Sequence, residues 1–373
     1  MTLSINDTFD SGNIEVVDTA DPQNIRLRIR KDNQSDFYQW FHFRVAGAKD
    51  TPLRMVIENA GESAYPKGWD DYNACMSEDR DDWRRVATEF KNGELIITHT
   101  PSVDSVHYAY FAPYTMERHR DLIADAVSYE GVSLRVLGQT LDGRDMDCLT
   151  IGTGEKTIWV IARQHPGESM AEWWMEGFLA RLTDSEDDVV TQMLRKATFH
   201  IVPNMNPDGS FRGHLRTNAC GANLNREWDN PTMERSPEVK LVRDAMDADK
   251  PVLCLDVHGD EALPYNFIAG AEGNANYTQK QADDLAAFLT AYKAASSDFQ
   301  TDVGYPLTAP GKANMTVCTN AIASRYNGLA MTLEMPFKDN ANAPDADRGW
   351  NGDRSAQLGN DTLDAMAAVI DQL

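Results

Sequence analysis

Cysteine is scarce and never paired in spacing: Cys75, Cys148, Cys220, Cys254 and Cys318 are an odd number, widely scattered, without one C-x-x-C. That excludes a disulfide frame and a thiolate metal site, and suits reduced thiols in the cytoplasm. Positive charge is short as well. Lys and Arg number 35 against 58 Asp and Glu, a net charge of -23, which excludes an intrinsic binder of nucleic acid or of an acidic membrane. No uninterrupted apolar run approaches the roughly 18 residues of a membrane span. The start, M-T-L-S-I-N-D-T-F-D, lacks the cationic and apolar regions of a secretory leader. Repeats and low-complexity tracts are missing too. What remains is a 373-residue chain with apolar content for two cores, expected in the cytoplasm, with a homo-oligomer left open.

One stretch organises the rest: R-Q-H-P-G-E-S-M-A-E-W-W-M-E-G-F-L-A-R-L, from Arg163 to Leu182. Here an apolar run, 157–162, gives way to an amphipathic pattern with Ala171, Trp174, Met175, Phe178, Leu179 and Leu182 at helical spacing. The pattern predicts a helix packed by one face. His165 and Glu168 then sit on a strand-to-helix turn, where an imidazole and a carboxylate three apart can meet one divalent metal. A capped helix start explains the pair equally well, so the remaining chain has to decide.

Residues 1–112 carry short apolar or alternating runs between polar turns, at 25–29, 37–45, 53–57 and 95–98, and predict an antiparallel β-sandwich-like domain. Its aromatic clusters, with Trp69, Tyr72 and Trp83, are expected to anchor packing rather than bind a ligand. From residue 113 to 373 the texture changes. A helix is predicted over 116–127, and strands then alternate with helices, which implies a mixed, mainly parallel sheet flanked by helices. Strands are expected at 157–163, 197–203, 252–257 and 329–333, followed by His165 and Glu168, by Asn206-Pro207-Asp208-Gly209, by His258 and by Glu334. Open α/β sheets bind ligands beyond the carboxyl ends of their strands, so four runs deliver reactive residues to one rim. A final helix is expected over 361–373, capped by Asp361.

His258, in C-L-D-V-H-G-D, is the natural third metal ligand, next to a glycine that admits close backbone approach. His165, Glu168 and His258 with a fourth position for water is the arrangement of a catalytic zinc site of one ion. Asp256 is expected to face away from it and Asp260 to lie nearby. Between the second and third strands, a loop-rich stretch places Arg212, Arg216, Asn225 and Arg226 close to the metal, where guanidinium groups suit a substrate carboxylate and an oxyanion. Arg212 has a competing task in an acidic chain, the neutralising of local carboxylates. Glu334, in M-T-L-E-M-P-F, is a costly carboxylate on an apolar strand unless it works as a general base.

Together H-P-G-E, N-x-N-P-D-G, R-x4-G-x-N-L-N-R, the strand-end His258 and T-L-E make the chain similar to zinc metallocarboxypeptidases of the carboxypeptidase A type. The amino-terminal Y-Q-W-F-H-F-R-V, Y-P-K-G-W, D-R-D-D-W-R-R-V and Y-F-A-P-Y-T resemble the sandwich domain of the cytosolic carboxypeptidase subgroup. The resemblance implies zinc on His165, Glu168 and His258, Glu334 as general base and proton shuttle, and Arg216 at the scissile carbonyl. It also implies that Asn225 and Arg226 hold the terminal carboxylate of peptide or protein tails, acidic ones included. Asn223 stands where the family often has an acid, and 315–320 lacks the basic selector of members that remove glutamate. Lys312 and Arg325 are loose substitutes, and Tyr305 and Tyr326 compete for the role of the tyrosine that closes over substrate. Two alternatives stay in view: a zinc amidohydrolase of related fold acting on N-acyl amino acids, and an inactive peptide-binding scaffold.

Overall fold

The computed structural model describes residues 3–373. Ten short strands precede residue 110: β1 (Ser4–Asn6), β2 (Glu15–Asp18), β3 (Ile25–Arg28), β4 (His42–Ala46), β5 (Leu53–Ile57), β6 (Ala74–Ser77), β7 (Arg84–Val86), β8 (Thr88–Lys91), β9 (Glu94–His99) and β10 (Ser105–Ala109). Alternation sets their faces. In β3, Ile25 and Leu27 are buried while Arg26 and Arg28 reach solvent. Two five-stranded sheets result, ordered β1-β4-β10-β6-β7 and β2-β3-β5-β9-β8. The expected antiparallel character holds except for one parallel pairing, β3 with β5. Trp69 and Tyr72 are buried anchors, meeting edge to face at 5.2 Å.

The second part comprises α1 (Met116–Ala126), β11 (Ser133–Gln139), β12 (Asp145–Ile151), β13 (Lys156–Ala162), α2 (Met170–Leu182), α3 (Asp188–Lys196), β14 (Ala197–Val202), α4 (Pro207–Arg212), α5 (Pro237–Asp249), β15 (Leu253–Asp260), β16 (Phe267–Ala269), α6 (Gln279–Ala295), α7 (Cys318–Tyr326), β17 (Leu329–Pro336) and α8 (Gly352–Val369). Its seven strands run β11-β12-β14-β13-β15-β17-β16. The four central ones, β14, β13, β15 and β17, are parallel. Covered on both faces, they read as continuous apolar runs. Ile158 and Val160 of β13 point toward α2, α6 and α8, while Trp159 and Ile161 point toward α5 and α7.

Two expectations about helices change. The first half of α2, residues 170–175, is buried all round rather than on one face, because Glu172 and Trp173 are covered too, while Ala180 further on is exposed. The last helix starts nine residues early, at Gly352, capped by Asn351 and not by Asp361. Glycine explains the second difference. A methyl group at Gly177 of α2 would sit 1.9 Å from the Ala356 carbonyl oxygen, and one at Gly359 would sit 2.1 Å from that of Trp174. The glycines let two helices cross at backbone contact, so Gly359 extends the helix where its propensity suggests a break. Among the described residues, no helix is long and apolar enough to cross a membrane.

Candidate active site

β13 ends at Ala162, and the chain turns through Arg163 in the left-handed region, φ 58°. Arg163 is 1% exposed. Its Nε donates to the Pro166 carbonyl at 2.9 Å, its Nη1 donates to that of Tyr114 at 2.7 Å, and it pairs with buried Glu172. This frame fixes the His165–Glu168 turn ahead of α2. From the neighbouring strand β15, His258 reaches the same point, and its partner across β17 in register is Glu334.

Three donor side chains converge. His165 Nδ1 lies 2.7 Å from Glu168 Oε1, His258 Nδ1 lies 2.8 Å from Glu168 Oε2, and the two Nδ1 atoms are 3.2 Å apart. A tetrahedral ion with bonds of about 2.0–2.1 Å separates its ligands by roughly 3.3 Å, so the cluster has the scale and the chemistry of a catalytic zinc site. The outward nitrogens are held as well. His165 Nε2 meets Asn223 Oδ1 at 3.0 Å, and His258 Nε2 meets Asp256 Oδ2 at 2.9 Å. Such partners fix ring orientation and which nitrogen faces a metal. Burial, with the charge of Arg216, pulls His165 down to about 4, which keeps it neutral, the ligand form. His258 shifts the other way: burial opposes its charge, but the carboxylates of Asp256 and Glu168 prevail and raise it.

Asp256 therefore does not face away from the site. Two residues before His258 on one strand, it shares that side chain's face, as period-two alternation requires. Gln164 donates to its Oδ2 at 2.6 Å and accepts from the Trp228 indole at 2.8 Å.

A cavity of about 700 Å³ opens over this cluster and is lined also by Tyr65, Arg216, Asn225, Arg226, Tyr305 and Glu334. Glu334 Oε1 accepts from the Tyr305 hydroxyl at 3.1 Å, and its buried Oε2 has no partner. Burial pushes this carboxyl well above its ordinary value. Asp260 also meets Tyr305, at 2.7 Å. Asn225 is anchored by accepting from the Cys318 amide at 2.8 Å. Among the described residues, neither Arg216 nor Arg226 has a carboxylate oxygen within the 4.0 Å of an ion pair. Burial and the charge of Arg216 pull Arg226 down.

Other expected residues lie elsewhere. Arg212 ends α4 instead of entering the site, because its guanidinium forks onto Asp142 at 2.7 and 2.8 Å. The Asn206–Gly209 segment is buried support: Asn206 caps α4 by accepting from Gly209, and Asp208 pairs with Arg144. Arg325 and Tyr326 both bind Asp247, and Lys312 does not line the cavity. Of the two expected tyrosines, Tyr305 is the one at the site. Sequence reasoning missed Tyr65, which comes from the amino-terminal domain, and Gln164, whose place directly before His165 was the only available signal.

A mixed sheet bearing His, Glu and His with a strand-end Glu at one rim defines a metallopeptidase of carboxypeptidase fold. Residues 124–340 match the zinc carboxypeptidase family model, and residues 5–111 match that of the cytosolic carboxypeptidase N-terminal domain. The chain belongs to the zinc carboxypeptidase family and is an enzyme of that class. It is 55% identical to an uncharacterized protein of Zymomonas mobilis over 373 residues, covering 100% of this chain and 98% of that one. Among solved structures it is similar to a metallo-carboxypeptidase from Burkholderia cenocepacia, with 49% identity, TM-score 0.97 and full coverage of both chains, 100% each. It is likewise similar to the metallo-carboxypeptidase from Pseudomonas aeruginosa in complex with (2-guanidinoethylmercapto)succinic acid, with 44% identity, TM-score 0.97 and 99% of each chain covered.

Proposed function

We propose that the protein is a zinc-dependent carboxypeptidase of one ion, held by His165, Glu168 and His258, that hydrolyses the carboxy-terminal bond of peptides or proteins. The observation that carries this reading is the pair of guanidinium groups, Arg216 and Arg226, without carboxylate partners, facing one cavity beside the three donor atoms in a chain of net charge -23. An acidic protein leaves cations unpaired at little benefit unless an anion arrives from outside. The terminal carboxylate of a peptide is such an anion.

Zinc at this site supplies Lewis acidity to water and to a carbonyl oxygen. Glu334 takes the proton from the attacking water through its free Oε2 and returns it to the leaving amine, a transfer that its raised proton affinity suits. Arg216 donates to the carbonyl oxygen as negative charge develops there. Asn225 and Arg226 fix the terminal carboxylate, and so place the scissile bond. Tyr305, hydrogen-bonded to Glu334 and Asp260 on an exposed loop, closes the mouth. Arg212 has no part in this scheme, since Asp142 occupies it.

For the terminal side chain, the lining offers Glu272, Asp302 and the hydroxyls of Thr319 and Thr332, but no cation beyond the two arginines already assigned. We infer a neutral or basic terminal residue over glutamate. The guanidino tail of the compound bound by the Pseudomonas aeruginosa enzyme agrees with this choice. We keep the domain division near residue 113 and a cytoplasmic location, the latter on five unpaired thiols and the subgroup of the amino-terminal domain. The test is release of the terminal amino acid from peptides with free and amidated ends, with N-acyl amino acids and a chelator alongside. Release from free-ended peptides alone, lost on chelation, is expected. Turnover of N-acyl amino acids only would replace this reading by the amidohydrolase one, and no turnover by zinc-loaded protein would leave the inert scaffold.

A further inference from the structure

Arg216 lies on a loop of the catalytic domain, yet its surroundings come from the other domain. Asp32, in the turn after β3, is 3% exposed and meets the loop head on. Its Oδ1 accepts from the Leu215 amide at 2.7 Å. Its Oδ2 accepts from the amides of Arg216 and Thr217, both at 2.8 Å, and from the Thr217 hydroxyl at 3.1 Å. Four donors on one buried carboxylate fix the path of three consecutive residues. The next residue, Asn33, adds two ties, donating its amide to His214 Nε2 at 3.1 Å and its side chain to the Ala219 carbonyl at 2.6 Å.

The guanidinium itself is held differently. Arg216 lies over the rings of Phe37, at 5.5 Å, and Tyr65, at 5.3 Å, both from the amino-terminal domain. Aromatic faces steady a guanidinium without consuming its charge or its N–H edge. Had Asp32 paired with the guanidinium, the arginine would be neutralised toward substrate. Bonding the backbone leaves the cation available, with Nε still unpartnered. Tyr65 is locked in turn, since its amide donates to Gln39 Oε1 at 2.8 Å and its carbonyl accepts from Gln39 Nε2 at 3.1 Å. The same turn presses on the cavity rim. A methyl group at Gly68 would lie 3.0 Å from Glu261 Cβ.

We propose that the amino-terminal domain is a working part of the active site: Asp32 positions the loop carrying Arg216, and Phe37 with Tyr65 orients its guanidinium toward the scissile carbonyl. The inference rests on the role given to Arg216 above. It makes Asp32 and Phe37 positioning residues, because neither lines the cavity. Tyr65 does line it and also forms a wall for the substrate.

The test compares Asp32→Ala, Arg216→Ala and the double variant in the full zinc-loaded chain, with kcat, KM, zinc content and melting temperature for each. An oxyanion donor acts in the transition state, so Asp32→Ala is expected to lower kcat by about 10- to 100-fold with KM within about threefold and zinc retained. The double variant is expected to turn over no more than about threefold slower than Arg216→Ala alone, because residues that act through one group are not additive. A merely structural Asp32 lowers the melting temperature and multiplies its loss onto that of Arg216→Ala. Wild-type kcat in Asp32→Ala, or full multiplication, overturns the proposal. Wild-type kcat in Arg216→Ala instead overturns the role of Arg216, and the proposal with it. Should Asp32→Ala not fold, Phe37→Leu carries the same comparison, since it spares every hydrogen bond to the loop. A several-fold drop in kcat that vanishes in the Arg216→Ala background is then the expected result, and an unchanged kcat the overturning one.

Discussion

Asp256 Oδ2 lies 2.9 Å from His258 Nε2, on the side of the ring turned away from Glu168. The contact sets which nitrogen faces the donor cluster and raises the basicity of the other. Asp256→Asn keeps the volume and removes the charge. Zinc affinity is expected to fall about 10- to 100-fold, the usual effect of losing an outer partner. Competition with a chromophoric chelator measures it, and unchanged affinity would mean that the register of β15 alone orients the ring.

Glu334→Gln separates chemistry from metal binding. Its carboxylate stands across the ladder from His258 but outside the donor triangle. The variant is expected to bind one zinc and to lose about 10²- to 10⁴-fold in kcat, the range for a positioned general base. Metal analysis and steady-state turnover of one free-ended peptide suffice. Loss of zinc together with activity would make Glu334 a ligand.

Arg226→Ala tests the anchor for the terminal carboxylate. A hydrogen bond to a charged group contributes about 1.5–3 kcal/mol, so KM is expected to rise roughly 10- to 100-fold while kcat changes little. Residual hydrolysis of amidated peptides should be insensitive to the substitution. Equal losses on free and amidated substrates would assign the carboxylate to another group.

Much of this site was legible because its residues end strands. His165, His258 and Glu334 follow runs such as 252–257 whose continuous apolar character marks a buried parallel strand, and topology then brings strand ends together. Arg212 could not be placed that way: nothing local distinguishes a guanidinium aimed at substrate from one that forks onto Asp142, 70 residues earlier in the chain. Asp256 needed only correct alternation. Tyr65 and Phe37 were beyond sequence reasoning, since their importance comes from a domain contact that no periodicity records. The start of α8 was placed at Asp361 although the helix reaches back past Gly359, and only the approach of α2 shows why a glycine belongs there.

That crossing gives the next prediction. Gly177→Ala places a methyl group 1.9 Å from the Ala356 carbonyl oxygen, a backbone atom that cannot rotate away. Overpacking of this kind costs about 1–3 kcal/mol, and the helices must separate to relieve it. A lower urea midpoint with unchanged zinc affinity is expected. An unchanged midpoint would show that α2 and α8 slide apart freely.

Stability should also fall on the alkaline side, through His119. The ring is buried between Glu172, 2.8 Å from Nδ1, and Asp147, 3.6 Å from Nε2. Burial disfavours its charge, but the two carboxylates prevail and raise it to about 9 from an ordinary 6.5. A folded value above the unfolded one means that the stabilisation is complete below about pH 6.5 and is lost progressively as pH rises through 9. The shift is equivalent to about 3 kcal/mol at most. Glu238, raised to about 8 by burial, adds a loss of the same sign, because its protonated form is the one the fold favours. His119→Gln removes only the first contribution. Denaturation between pH 6 and 10 should therefore show a smaller alkaline decline in the variant, starting from lower stability at pH 6. Parallel curves would mean that His119 stays neutral and that Arg163 alone balances Glu172.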